Sequence, residues 1–188
     1  MWPFYYYMDP TYILVIIGLL LSMGASIKVK STFARYARVR SMSGMTGAEA
    51  AERILHSSGI YDVSVQRVSG QLSDHYDPRT KVLRLSDSVY GEASVAAIGV
   101  AAHECGHAIQ HDKAYIPLKV RAAFVPVANF GASLSIPLIL IGVIFARSQF
   151  LINLGIWLFS LAVIFQLITL PVEFNASRRA VARLGETG

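Results

Sequence analysis

The sequence predicts a mainly α-helical integral membrane protein: a small α+β module with a short β-sheet, joined to a transmembrane helical hairpin. Three observations carry this. Hydrophobic residues make up 54% of the 188 and charged residues 15%, whereas a soluble domain carries about 25% charged residues. Three stretches without a charged side chain, at 11–27, 122–146 and 150–172, approach or exceed the ~20 apolar residues that cross a bilayer as helix. Between the first and second lie short alternating segments of strand type.

Taken in order, residues 1–27 are expected to form an N-terminal transmembrane anchor. Its apolar run, Thr11 to Ile27, is preceded by Tyr5, Tyr6 and Tyr7 and carries Tyr12 at its start, and these tyrosines fit an interfacial aromatic belt. The tail lacks the basic n-region of a cleaved signal peptide, so a retained anchor is expected. Residues 28–121 follow as a cytoplasmic module. Lys28, Lys30, Arg35, Arg38 and Arg40 open it on a basic juxtamembrane helix over 26–42. This positive bias places the module inside a plasma (cell inner) membrane and the N-terminus outside, with Arg147 in the opposite turn dissenting. Thr46-Gly-Ala-Glu49 matches a capping box and starts a helix to about Ser57, stopped at Gly59. Alternation over 62–68 and 81–85 predicts two strands, with Asp77-Pro78-Arg79-Thr80 as a turn before the second. Ser94 to about His111 reads as an apolar helix.

Residues 122–172 form the hairpin. Only Arg147, Ser148 and Gln149 separate its two spans, so they must be antiparallel, and whatever precedes Ala122 shares a membrane face with whatever follows Val172. Residues 173–188 are expected to begin a new helix after Pro171, with Glu173 in its first turn.

The net charge of +5 is accounted for by basic residues flanking apolar runs. Anionic lipid headgroups are therefore the expected partner, and nucleic acid is not. The single cysteine, Cys105, excludes an intrachain disulfide and any zinc site built on two or four cysteines. It points away from the helix face discussed next and reads as a small core residue, and His56 as a surface one.

Chemistry concentrates in His103-Glu-Cys-Gly-His107, an HExxH sequence inside the apolar helix. Residues four apart are offset by about 40° and one turn, so both imidazoles leave one face and can bind one ion. Glu104, beside them, is placed to take a proton from attacking water. The pattern points to zinc-dependent peptide hydrolysis, against an alternative of two ordinary helix histidines. Catalytic zinc takes three protein ligands and keeps one position open. His111 lies about 6 Å beyond His107 along the helix, and Gln110 and Lys113 break the metzincin pattern. Glu173 is the remaining candidate, on the face to which the hairpin returns the chain. Its alternative reading is an interfacial glutamate favoured by a helix N-terminus.

Ser43-Gly-Met-Thr-Gly-Ala-Glu-Ala-Ala-Glu52, Asp74-His-Tyr-Asp-Pro-Arg-Thr-Lys-Val-Leu-Arg-Leu-Ser86, the HExxH helix and Leu170-Pro-Val-Glu-Phe-Asn-Ala-Ser-Arg-Arg179, behind an N-terminal anchor, together resemble the YugP-type membrane zinc metallopeptidases over essentially the whole chain. The resemblance implies a minigluzincin-like module, one catalytic Zn2+ on His103, His107 and Glu173, and Glu104 as general base. A more distant likeness is to the HtpX membrane proteases, whose third-ligand motif is E-x-x-A-D. Here Ser177 stands in the place of that Asp, so Ser177 or Asn175 is expected to orient a histidine instead. His75 and Tyr76 are candidates for stabilising an oxyanion, followed by Tyr90, Tyr115, Arg178 and Arg179.

The expected activity is endopeptidase action on a membrane-associated or unfolded polypeptide, added as a strand to the edge of 62–68 or 81–85. The competing class is a non-catalytic scaffold stapled by zinc, with His111 or His75 as fourth ligand. With few amides and no charge inside the spans, a transport pathway is disfavoured. The thin membrane body is compatible with a homo-oligomer or a membrane partner complex.

Overall fold

The computed structural model describes residues 11–145 and 147–187. The tyrosines at 5–7 lie outside the described residues. The chain order is α1 (Thr11–Ala37), α2 (Gly47–Ser57), β1 (Ser64–Val68), β2 (His75–Asp77), β3 (Val82–Ser86), α3 (Asp87–Tyr90), α4 (Val95–Asp112), α5 (Ile116–Ile144) and α6 (Gln149–Thr187). The protein is mostly helical, and α1, α5 and α6 are each long and apolar enough to cross a membrane.

In α1 the apolar run and the basic stretch form one helix to Ala37, where a span and a separate juxtamembrane helix to 42 were expected. No Pro or Gly interrupts 25–37, so the backbone ladder simply continues. Residues 39–41 then run extended: the Ser41 N–H donates to the Ala93 carbonyl and the Val95 N–H to the Val39 carbonyl, both at 2.9 Å. This pairing ties the base of α1 to the start of α4.

The expected capping box opens α2. The Glu49 N–H donates to Thr46 Oγ1 at 3.3 Å, and the Thr46 N–H to Glu49 Oε2 at 2.8 Å. Ser94 caps α4 by accepting from the Ala97 N–H at 3.2 Å. These caps satisfy donors that have no partner within their helices.

The sheet has the order β1-β3-β2. β3 is its centre, parallel to β1 and antiparallel to β2, so the 81–85 segment offers no open edge and the edges are β1 and β2. The short strand β2 occupies residues expected only to lead into a turn. The turn itself follows at 77–80, where Asp77 accepts from the Arg79 N–H at 2.9 Å and the Thr80 hydroxyl at 2.7 Å.

Buried apolar side chains from α2 (Ile54, Leu55), β3 (Leu83, Leu85), α3 (Val89) and α4 (Ala101, Cys105, Ile109) form the core, closed by Ala180 of α6. Cys105 thus lies in the core, with its S–H directed at the Ala51 carbonyl.

α5 and α6 pack as an antiparallel pair. Their close approach depends on small residues, since a Cβ on Gly155 would meet the Ser135 carbonyl oxygen at 2.8 Å and one on Gly131 the Leu158 carbonyl oxygen at 2.8 Å. α6 does not stop at Pro171. It runs unbroken to Thr187, because a proline removes one ladder bond and bends a helix without ending it when both sides are packed. Glu173 consequently sits in a helix interior rather than in a first turn, and the N-terminal dipole explanation for it falls away.

Candidate metal centre

The small residues of α4 bring α6 onto it. A Cβ on Gly106 would lie 2.5 Å from the Ala176 carbonyl oxygen, so only glycine permits this approach. Val172, Ala176 and Ala180 are buried on the facing side of α6. With α6 seated there, Glu173, one turn before Ala176, faces the HExxH residues.

Glu173 Oε2 lies 3.2 Å from His103 Nε2 and 3.5 Å from His107 Nε2. One ligand atom from each of the three residues falls within 4.8 Å of the others, a set of two imidazoles and a carboxylate suited to a divalent ion. Each residue has a further contact on its outer side. Arg121, in the first turns of α5, reaches Glu173 Oε1 at 3.2 Å. Ser177 Oγ lies 3.2 Å from His103 Nδ1. His107 Nδ1 lies 3.1 Å from Gln110 Oε1. An amide oxygen only accepts, so His107 Nδ1 carries the proton and a neutral ring has a bare Nε2. That bare nitrogen and the carboxylate oxygen Oε2 then face each other as two lone pairs, an arrangement that a cation between them, or a second ring proton, makes favourable. The donor set therefore fits zinc.

Glu104 is buried and held by the sheet: its Oε2 accepts the Tyr76 N–H at 3.1 Å. Burial raises its pKa above the usual carboxyl value, opposed by His107 and His103 beside it. The hydrogen bond to Glu173 raises the pKa of His103, against the effect of burial.

The remaining candidates divide. Tyr76 supplies its backbone to Glu104, while its hydroxyl pairs with His111 Nδ1 at 2.9 Å. Burial, with Asp62, Asp77 and Asp112 nearby, pushes that hydroxyl up to about 12. The His75 ring is exposed, its Nδ1 2.8 Å from the Ser73 carbonyl and its Nε2 near Arg84, and it is not brought to the cluster. Asn175 accepts from Gln110 Nε2 at 3.0 Å and from Arg179 Nε at 2.8 Å, and Arg179 lies over the Tyr115 ring. Gln110 and Arg121 are contacts that the sequence reading missed. In the sequence Gln110 stands out only as the residue in place of the metzincin glycine. Arg121 is the cation nearest the start of an apolar span, two residues after Lys119, and that position is its one available signal.

A cleft of about 500 Å3 between α1 and α4, lined by Val29, Phe33, Leu72 and Val100 among others, opens beside His103.

No solved structure matches the chain. Over 167 residues it is 54% identical to the Bacillus subtilis (strain 168) protein named "Putative membrane protease YugP", a match covering 89% of this chain and 74% of that protein. Residues 11–188 match the family described as "Putative neutral zinc metallopeptidase". With an HExxH helix and a facing glutamate now joined in one cluster, the chain belongs to that zinc metallopeptidase family.

Proposed function

We propose that the chain is a membrane-embedded zinc endopeptidase of gluzincin type, acting at the cytoplasmic face, with one zinc on His103, His107 and Glu173 and with Glu104 as general base. The observation that carries it is the convergence of both Nε2 atoms on Glu173 Oε2, with a buried carboxylate on the adjacent residue. Bound there, zinc supplies a Lewis acid that acidifies water and polarises a carbonyl.

The protein's own groups do the rest. The Tyr76 N–H fixes Glu104 Oε2, setting the plane of the carboxylate before substrate arrives. Glu104 then takes a proton from the attacking water and returns it to the departing amine. Arg121 engages Glu173 Oε1 and leaves Oε2 directed at the histidines. Ser177, standing where the HtpX-like motif has an acid, accepts from or donates to His103 Nδ1, a weaker hold than a carboxylate gives. The outer edge of β2, beside Glu104, is suited to receive an extended peptide as an added strand. The apolar cleft next to His103 is suited to an apolar side chain of a membrane-associated or unfolded polypeptide.

The scaffold alternative requires a fourth protein ligand. His111 is engaged by Tyr76 and His75 by the Ser73 carbonyl, so a three-residue set with one open position favours the enzyme. The basic bias of 28–40 supports a cytoplasmic site.

Glu104→Gln keeps the shape of the side chain and removes its basicity. Peptide hydrolysis in detergent is expected to fall on the order of a hundred- to ten-thousand-fold, with zinc content unchanged. Undiminished hydrolysis would contradict the assignment of the base.

A further inference from the structure

Gln110 is fully buried between α4 and α6, a position where packing alone calls for Leu or Met, since a buried amide is costly unless its atoms are paired. Here they are paired, and two groups of fixed character settle which atom does what. Arg179 Nε can only donate, so the Asn175 atom 2.8 Å from it is the oxygen Oδ1. The Val172 carbonyl can only accept, so the Gln110 atom 2.8 Å from it is the nitrogen Nε2. That same Nε2 donates its second hydrogen to Asn175 Oδ1 at 3.0 Å. The oxygen of Gln110 is thereby turned toward His107 Nδ1, 3.1 Å away.

We propose that Gln110, anchored by Val172, Asn175 and Arg179 of α6, is the positioning residue that locks His107 in its Nδ1–H tautomer and aims the bare Nε2 at the metal. This rests on the metal-centre reading above. The relay begins at an arginine, whose Nε–H only donates, and passes through an asparagine oxygen that accepts from both sides. Its end point is a ring nitrogen that must be protonated for the opposite nitrogen to ligate. Four residues after Val172 and one after Asn175, the face of α6 that carries this relay continues into Ala176, whose carbonyl sits against Gly106. The seating of α6 therefore sets the orientation of the His107 ring as well as the place of Glu173.

The roles separate by substitution. Asn175→Asp keeps an oxygen acceptor for both Gln110 and Arg179, whereas Asn175→Leu and Gln110→Met keep the volume and remove the bonds. The full chain in detergent is titrated with zinc against a fluorescent chelator. Gln110→Met and Asn175→Leu are expected to weaken binding about 10- to 100-fold, while Asn175→Asp binds nearly as wild type does. A second measurement requires no variant to fold: imidazole 15N NMR of the metal-free wild type, at alkaline pH where the rings are neutral, is expected to show His107 as the Nδ1–H tautomer. Equal zinc affinity in Gln110→Met, or an Nε2–H tautomer in the wild type, overturns the proposal and leaves the metal centre standing. A wild type that takes up no zinc overturns the metal centre and this proposal with it.

Discussion

A neutral imidazole that gives its only proton to an amide oxygen presents a bare nitrogen on its other side, and for His107 that side faces a carboxylate oxygen 3.5 Å away. Such a juxtaposition costs free energy until a cation sits between the two, which makes the geometry around one ring as informative as the HExxH pattern itself. Away from the cluster, Asp77 shows a simpler use of charge. Bonds from the Thr80 hydroxyl and the Arg79 N–H hold its pKa at about 2, against 3.8 unperturbed. A folded-state value below the unfolded one stabilises the fold above the unfolded pKa, and the contribution is lost as pH falls through the folded one. Thermal unfolding of the wild type is therefore expected to move to lower temperature between about pH 4 and pH 2. Asp77→Asn removes part of that dependence; an identical pH profile in the variant would contradict it.

Among the elements, those with a local signature were the ones that could be read. The capping box at Thr46 and Glu49 and the apolar helix around HExxH lie within a few residues of their own signals, and the structure has both; of the turn expected at 147–149, Gln149 already opens α6. β2 was not legible, because three residues are too few for alternation to register and its strand character comes from pairing with β3. The ending of a helix at Pro171 was misread because proline weighs against a helix locally, while the continuation of α6 is held by packing against α4 and α5. Gln110 is not legible in the sequence because its partners on α6 lie 62 and 65 residues away. Helix contact also gives a prediction at this scale. Gly106→Ala places a methyl against the Ala176 carbonyl, one turn from Glu173. Overpacking of this kind is expected to cost about 1–3 kcal/mol, read by denaturant unfolding, and to weaken zinc binding by displacing Glu173. Unchanged stability and affinity would show that α6 has room to spare.

For the whole molecule, the hairpin is what joins the two halves of the site. α5 leaves the module at Ile116 and α6 returns to it, so a helix expected to cross the bilayer delivers Glu173 to histidines 66 and 70 residues earlier in the chain. The proposed orientation puts the 147–149 turn outside. Cys105, the single cysteine, is buried, and burial drives its thiol pKa up, so added surface cysteines report without background. In intact cells an impermeant maleimide is expected to label Gln149→Cys and to reach Glu52→Cys only after lysis. The reverse pattern would invert the topology. The central claim is that this returning helix completes a zinc site, and the most direct test is the zinc bound by Glu173→Ala beside wild type after dialysis against a weak chelator. Wild type is expected to hold about one zinc per chain and the variant to lose it; a variant that keeps its zinc with wild-type affinity would contradict the account.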